Sequence, residues 1–246
     1  MPASITRVRR LVTILLAHAG WRPESRSVLW PLAVVASIAL ATWIAAVGDP
    51  PLSLTYFALG WSFFYLGNTL ALRGRARPRP RDAVTDARAW ARYQILLGLM
   101  FANQGLALGA VCALDAAALP LPEVVRLTLG VALFAAGLVI KVWATDLVGV
   151  DTYFFRDLFE DRPTGTFVQR GPYRLFANPM YGPGYAHAYG LALLADSWLA
   201  LAAAAACQLG IYAFYLIVER PFVRRVYGAA TAPANATLPA VVQEAP

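Results

Sequence analysis

The residues with the clearest chemical potential flank two apolar runs in the second half of the chain. Asn178 and Pro179 precede one run, and Glu219 follows the next. Asn-Pro suits a helix start, because Asn accepts hydrogen bonds from exposed N–H groups and Pro fits the first turn. Gly182 and Gly184 would loosen that turn and let backbone N–H groups approach a carboxylate or phosphate. An ordinary capped and kinked helix is the alternative interpretation.

The two runs, 179–195 and 198–218, are predicted to form a helical hairpin. Since helices rise about 1.5 Å per residue, Glu219 should return to the membrane level of Asn178. A carboxylate at that level can face a cationic group held near Asn178. The alternative is a solvated glutamate paired with a neighbouring arginine.

Lys141 lies inside another apolar run, where an ionisable group is costly. At 1.5 Å per residue it sits roughly 13 Å from the nearer end of that run. Three interpretations remain open: a snorkelling side chain, an internal pair with a carboxylate, or a ligand for an anionic headgroup.

The elements that carry these residues are predicted to be membrane helices. Of 246 residues, 59% are hydrophobic and 14% are charged, whereas soluble domains carry about 25% charged residues. Each apolar run approaches or exceeds the roughly 20 residues needed to cross a bilayer. The sequence therefore predicts an all-α polytopic membrane helix bundle of about six transmembrane helices. The predicted spans are 28–47, 52–72, 93–118, 124–149, 179–195 and 198–218.

The predicted domain organisation is a single membrane domain with two flanking segments. Apolar residues of 5–16 share one helical face opposite arginines, which predicts an interfacial helix within a cytoplasmic segment 1–27. The membrane domain is 28–228, and an Ala/Pro/Thr-rich tail, 229–246, is predicted to be disordered. No metal site is expected.

The basic residues predict the orientation of the bundle, because cytoplasmic loops carry excess Lys and Arg. The net charge is +7, but the basic residues that produce it lie between apolar runs, so we expect no nucleic-acid partner. The arginine-rich composition is typical of a GC-rich bacterium, so the expected location is a bacterial inner membrane. With six spans, the distribution of the basic residues predicts that both termini are cytoplasmic. The basic loops precede span one or follow spans two, four and six: Arg7, Arg9, Arg10, Arg22, Arg26; Arg73, Arg75, Arg77, Arg79, Arg81, Arg88, Arg92; Arg156, Arg162, Arg170, Arg174; Arg220, Arg224, Arg225.

Three motifs resemble those of the small integral-membrane methyltransferases, a group that includes phosphatidylethanolamine N-methyltransferases and isoprenylcysteine carboxyl methyltransferases. The resemblance covers about residues 124–228, and the polar segments 151–154 and 160–162 are similar to the phosphatidylethanolamine branch. The motifs are Gly171-Pro172-Tyr173-Arg174, Asn178-Pro179-Met180-Tyr181 and Glu219-Arg220-Pro221-Phe222.

The resemblance implies that S-adenosylmethionine is the cofactor and that it binds at the cytoplasmic end of the hairpin. Two residues depart from the family pattern: Pro183 replaces a glycine, and Arg220 replaces the second acid of a terminal pair. The cofactor-binding candidates are Gly171, Asn178, Pro179, Met180, Tyr181, Gly182, Gly184, Glu219 and Arg220.

The implied reaction is methyl transfer to a membrane lipid amine, with phosphatidylethanolamine or its methylated forms as the leading substrate. The two alternatives are a carboxyl methyltransferase for a prenylated or lipophilic thiol acid, and a non-catalytic membrane protein or transporter. His187 lies on the helical face opposite Asn178, which also favours a structural histidine. The candidate proton acceptors are Asp151, Glu160, Tyr181 and His187, and the candidate substrate ligands are Lys141, Arg156, Arg162 and Arg174.

Overall fold

The computed structural model describes residues 3–25, 27–72, 83–114 and 118–231, which form helices and turns with no β-strand among them. The predicted all-α class is confirmed. Short 3₁₀ turns cover Gly171–Arg174 and Pro183–Tyr185, and a π-helical turn, Tyr215–Glu219, joins the last two helices. The helices are α1 Ala3–His18, α2 Leu29–Val47, α3 Pro50–Leu72, α4 Ala83–Cys112, α5 Glu123–Val148, α6 Val150–Tyr153, α7 Arg156–Glu160, α8 Ala186–Leu194, α9 Trp198–Phe214 and α10 Arg220–Thr231.

Within the described residues, four helical stretches are long and apolar enough to cross a membrane. They are Leu29–Val47, Ala87–Cys112, Glu123–Val148 and Trp198–Gly228. α3 reproduces the second predicted span with 23 residues, but its Ser, Thr, Tyr, Trp and Asn side chains make it less apolar than these four stretches. The predicted fifth span differs, because α8 has only 9 residues and follows a stretch of turns.

The outer faces of the bundle carry large apolar side chains, as expected for a protein solvated by lipid. Val124 is 77% exposed, Leu209 72% and Val139 64%. In water such surfaces would be costly. Inside, by contrast, aromatic residues including Trp30, Phe64 and Phe154 are almost fully buried. The distribution supports the predicted membrane bundle.

α5 and α8 run antiparallel in close contact because glycines remove side chains from their interface. A Cβ at Gly137 would lie 2.3 Å from the backbone nitrogen of His187, and one at Gly190 would lie 2.4 Å from that of Phe134. Small residues of this kind let membrane helices approach backbone to backbone. The packing brings Lys141 of α5 to the level of Gly184.

Buried polar contacts join three further helices around the interior. The Gln104 amide of α4 donates to Tyr65 Oη of α3 at 2.8 Å, and Tyr65 Oη donates to the Cys207 carbonyl of α9 at 2.8 Å. Such bonds satisfy groups that would otherwise be costly in an apolar interior. These bonds hold α3, α4 and α9 together beside an interior cavity that Gln104 lines.

α1 lies across the end of the bundle where α5 stops. His18 Nε2 is 3.1 Å from Thr145 Oγ1, and Arg10 forms an ion pair with Asp146. The opposite face exposes apolar side chains, among them Ile5 and Val8. The helix expected over 5–16 is therefore present and slightly longer.

Some predicted boundaries shift. α4 begins at Ala83, ten residues before the predicted start at 93, and ends at Cys112. α10 continues to Thr231, into the segment predicted to be a disordered tail. Residues 232–246, and the arginines from Arg73 to Arg81, lie outside the described residues.

Candidate active site

The segment before α8 is a series of turns centred on the Asn-Pro motif. Asn178 Oδ1 accepts from the Tyr181 backbone N–H at 3.3 Å, as an N-cap would, yet the regular helix begins only at Ala186. The cause is Pro183, which has no N–H, so the Gly184 N–H bonds the Pro179 carbonyl at 2.7 Å instead. The expectation of free N–H groups is not met at Tyr181, Gly182 and Gly184, because each bonds within the turn.

The last long helix widens into the π turn just before Pro221. A proline in a helix removes one backbone hydrogen bond and crowds the carbonyl four residues earlier, and the wider turn relieves that crowding. The turn places its final residue, Glu219, in the wall of a cavity. Cavity-lining residues recur every fourth position along this helix: Ile211, Tyr215, Glu219, Val223 and Tyr227.

Tyr181 and Glu219 are in contact across the hairpin, consistent with the prediction that Glu219 returns to the membrane level of Asn178. Tyr181 Oη donates a hydrogen bond to Glu219 Oε1. Tyr173 lines the same cavity as Glu219, and burial and then Glu219 raise the pKa of Tyr173. Tyr173 therefore remains a neutral hydrogen-bond donor at physiological pH.

The cavity between α4, α5, the turns before α8 and the last helix has a volume of about 900 Å³. That is at the upper end of the roughly 300–1,000 Å³ typical of small-molecule sites. Its inner part is lined by Phe101, Gln104, Tyr153, Phe155, Tyr185 and Ile211. Its outer part is more polar and includes Asp157, Thr166, Gln169, Arg174, Arg220, Arg224 and Tyr227.

Lys141 also lines the cavity, beside the Asn-Pro turns. Among the described residues, no hydrogen bond or ion pair holds its ammonium group, and a Cβ at Gly184 would lie 3.4 Å from Lys141 Cβ. Burial, then the nearby Lys141 and His187, lower the pKa of His18 to about 3. His18 is thus neutral at physiological pH, and Lys141 is the basic residue of this group that lines the cavity.

Of the four candidate proton acceptors, Tyr181 lines the cavity and the other three lie outside its lining. His187 Nδ1 is 2.7 Å from the Gly184 carbonyl, which fits the structural interpretation. Asp151 and Glu160 are engaged by arginines, with Arg156 bonded to both at 2.7 Å.

Those ion pairs make the two carboxylates poor bases. Burial raises the pKa of Asp151, but bonds to Arg156 and Arg22 outweigh it and the net shift is downward. Burial likewise raises the pKa of Glu160, and Arg156 and Arg162 reverse the shift. Both groups are therefore ionised and already paired at neutral pH.

The candidate cofactor and substrate ligands also divide into residues that line the cavity and residues that do not. Arg174, Asn178, Met180 and Arg220 line the cavity. Arg156 and Arg162 lie outside the lining in the ion pairs above, and Pro179 is fully buried beneath it. Gly171 has φ +60°, and a Cβ there would lie 2.7 Å from Leu147, so this glycine seats the motif against α5.

Asp157 is a cavity residue that sequence reasoning missed. It is 5% exposed and accepts from Tyr227 Oη at 2.9 Å. Phe155 and Phe159 are both buried, but Asp157 is two residues from each, so helical spacing does not place it on their side. Its burial arises from tertiary packing, which no local sequence pattern reveals.

The second half of the chain matches a known family. Residues 125–230 match the phospholipid methyltransferase family. This range contains α5 except for its first two residues, the Asn-Pro turns, α8, α9, the π turn and all but the last residue of α10. It nearly coincides with the core, 124–228, that the sequence resemblance delimited.

Fungal proteins named phosphatidylethanolamine N-methyltransferase are similar to this chain. One from Schizosaccharomyces japonicus is 34% identical over 117 residues, 48% of this chain and 13% of the relative. One from Laccaria bicolor is 35% identical over 98 residues, 40% of this chain and 11% of the relative. One from Phaeosphaeria nodorum is 29% identical over 189 residues, 72% of this chain and 20% of the relative.

These alignments span a fifth or less of the length of the fungal relatives. No solved structure matches the chain. The likeness to this family therefore rests on the matched range and on the motifs gathered around one cavity. Over residues 125–230, somewhat less than half of its length, the chain is similar to the phospholipid methyltransferase family.

Proposed function

We propose that this protein transfers a methyl group from S-adenosylmethionine to the amine of a membrane lipid at the cytoplasmic leaflet. The lipid is phosphatidylethanolamine or one of its partly methylated forms. The observation that carries the proposal is the Tyr181–Glu219 contact, which joins two family-like motifs at the wall of a cavity of about 900 Å³. The names of the fungal relatives support the same substrate class.

The cavity has groups that fit the amino-acid end of S-adenosylmethionine. This end carries an ammonium and a carboxylate. Glu219 can pair with the ammonium through Oε2, because Tyr181 bonds Oε1. Arg220, the adjacent residue on the same wall, can pair with the carboxylate. The backbone N–H groups of Tyr181, Gly182 and Gly184 do not serve this purpose, since the turn uses them internally.

When bound, S-adenosylmethionine supplies an electrophilic methyl group on a positively charged sulfur. The residues of this chain would orient the lipid amine towards that methyl and exclude water from the cavity. The apolar inner wall, which includes Phe101, Phe155 and Ile211, suits the second task.

The lipid phosphate requires a cation at the membrane level of the cavity. Lys141 is the best candidate, because it lines the cavity without a hydrogen bond or ion pair in the described part of the chain. Arg174 lines the same cavity and is the second candidate. Phosphate held by these cations leaves the amine free to face the cofactor.

A lipid ammonium must lose a proton before it can attack. Tyr181 is the candidate acceptor that faces the cavity. A proton arriving at Tyr181 Oη can be balanced by transfer of the tyrosine's own proton to Glu219 Oε1 along their hydrogen bond.

Lipid analysis in a bacterial host without phosphatidylcholine tests this function. Expression of the protein should produce mono-, di- or trimethylated phosphatidylethanolamine. The Glu219→Ala variant should reduce these products about tenfold or more, as expected for losing a charge-assisted hydrogen bond to the cofactor. Arg88→Ala, which changes an exposed arginine outside the cavity lining, is the control. Unchanged lipids with membrane-inserted protein would contradict the proposal.

A further inference from the structure

Asp157 is a buried carboxylate whose protein partners are neutral. Tyr227 Oη donates to Oδ2 at 2.9 Å, while Thr152 Oγ1, at 3.4 Å, and Thr164 Oγ1 donate to Oδ1. No ion pair involves Asp157 within 3–25, 27–72, 83–114 and 118–231. Burying a carboxylate without a cation is costly, so its retention in a cavity wall calls for an explanation.

The carboxylate still has room to accept one further hydrogen bond. An ionised carboxylate offers about four lone-pair positions, two on each oxygen. Oδ1 receives two hydroxyl groups and Oδ2 receives one. The remaining position is on Oδ2, and Asp157 lines the cavity.

Aromatic side chains surround this part of the cavity. The ring of Tyr227 lies 5.7 Å from that of Phe167 and 6.4 Å from that of Phe222, and all three residues line the cavity. Flat aromatic faces suit a purine base, because base–aromatic stacking contributes about 1–3 kcal/mol. A carboxylate beside such faces is typical of ribose recognition in nucleotide sites.

The spacing between the two carboxylates agrees with the length of a nucleoside cofactor. Tyr227, which bonds Asp157, follows Glu219 by eight residues on one helix. Eight residues correspond to roughly 12 Å along the axis. One end of the cavity therefore offers charged groups for an amino acid, and the other offers a carboxylate and aromatic rings.

We propose that Asp157 Oδ2 accepts a hydrogen bond from a ribose hydroxyl of S-adenosylmethionine, whose adenine packs against Phe167 and Tyr227. This inference rests on the proposed function and assigns the nucleoside half of its cofactor. It also explains why α7 turns Asp157 inward while the neighbouring Glu160 and Asp161 pair with arginines.

Binding of S-adenosylhomocysteine and its 2′-deoxy and 3′-deoxy counterparts, measured by calorimetry, tests the proposal without any turnover. For the native protein, removing the hydroxyl that Asp157 receives should weaken binding about tenfold or more. In Asp157→Asn, which keeps the shape and one acceptor oxygen, S-adenosylhomocysteine should bind about tenfold more weakly. In that variant, the loss of affinity caused by removing the hydroxyl should be at least about threefold smaller than in the native protein.

Asp161→Asn is the matched control, because this carboxylate follows in the same segment, pairs with Arg225 and does not line the cavity. It should bind all three ligands as the native protein does. If a stably folded Asp157→Asn protein lost as much affinity for the deoxy ligand as the native protein does, the ribose assignment would be overturned. Failure of the native protein to bind S-adenosylhomocysteine would instead overturn the proposed function, so the two failures are distinguishable.

Discussion

Glu219 and Arg220 place opposite charges side by side on one wall of the cavity. The family pattern has two acids at this point, so Arg220 stands where a second carboxylate would be expected. Physically it has a use, because the amino-acid end of the proposed cofactor carries both an ammonium and a carboxylate. An acid and a base in sequence can hold both charges, whereas two acids would leave the carboxylate to other groups.

Arg220→Glu tests this account, since it restores the family pattern. We expect the variant to bind S-adenosylhomocysteine about tenfold more weakly, because a favourable ionic contact becomes a repulsive one. Arg88→Glu makes the same charge change on an exposed position of α4 and should have little effect. Calorimetry that shows tighter binding by Arg220→Glu would remove Arg220 from the carboxylate site.

Some site residues could be found from the sequence and others could not. Asn178, Tyr181 and Glu219 stand in motifs whose separation along a hairpin predicts that they meet. The pairing of Asp151 with Arg22, at 2.6 Å, depends on how α1 and the following turn fold back, which no local pattern reveals. Asp157 was missed because burial of its carboxylate arises from tertiary packing.

The elements around the site are irregular where prolines interrupt them. Pro183 prevents a regular start to α8, and Pro221 accompanies the π turn that presents Glu219. Sequence reasoning predicted a loosened turn after Asn178 but expected a helix from 179 to 195. The length of α8 could not be predicted, because it depends on how the preceding turns replace the backbone hydrogen bond that Pro183 cannot make.

Gly137→Ala tests the close approach of α5 and α8 that positions Lys141. Its new Cβ would lie 2.3 Å from the His187 nitrogen, so the helices must separate. We expect a loss of about 1–3 kcal/mol in stability, the usual cost of overpacking. Gly105→Ala, where nothing lies within 4 Å of the new Cβ, is the control for helix propensity. Equal thermal stability of the two variants would contradict the proposed packing.

At the scale of the whole molecule, the cavity opens at the end of the bundle that carries the arginines. α5 ends there, α8 begins nearby, and Arg174, Arg220 and Arg224 line the opening. At the other end, Arg126 bonds the Leu193 carbonyl at 2.8 Å and pairs with Asp196 at 3.4 Å. By the positive-inside rule, the cavity would face the cytoplasm and both termini would lie there.

Reporter fusions test this orientation. Fusions after Arg92 and after Tyr227 should report the cytoplasm, and fusions near Asp49, Pro120 and Asp196 should report the opposite side. A cytoplasmic signal at Asp196 would show that 179–218 does not form a membrane hairpin. The proposed access of the cavity to the cytoplasm would then fail.

The class of fold was readable from the sequence because an apolar run of about 20 residues crosses a bilayer as a helix, which satisfies its own backbone hydrogen bonds. Packing of those helices was less readable, since it is governed by glycines and interior hydrogen bonds. Gln104, Tyr65 and Cys207 illustrate this, because their chain of bonds joins three helices that are distant in sequence.

The central claim is tested most directly by following labelled methyl from S-adenosylmethionine in vesicles that contain the purified protein and phosphatidylethanolamine. The account predicts label in the lipid fraction as methylated phosphatidylethanolamine. It also predicts that Lys141→Met raises the lipid KM while S-adenosylhomocysteine binding stays within about threefold, because Lys141 is assigned to the phosphate. Label recovered as a base-labile methyl ester would instead identify a carboxyl methyltransferase. Cofactor binding without any labelled lipid would contradict the account and favour a non-catalytic membrane protein.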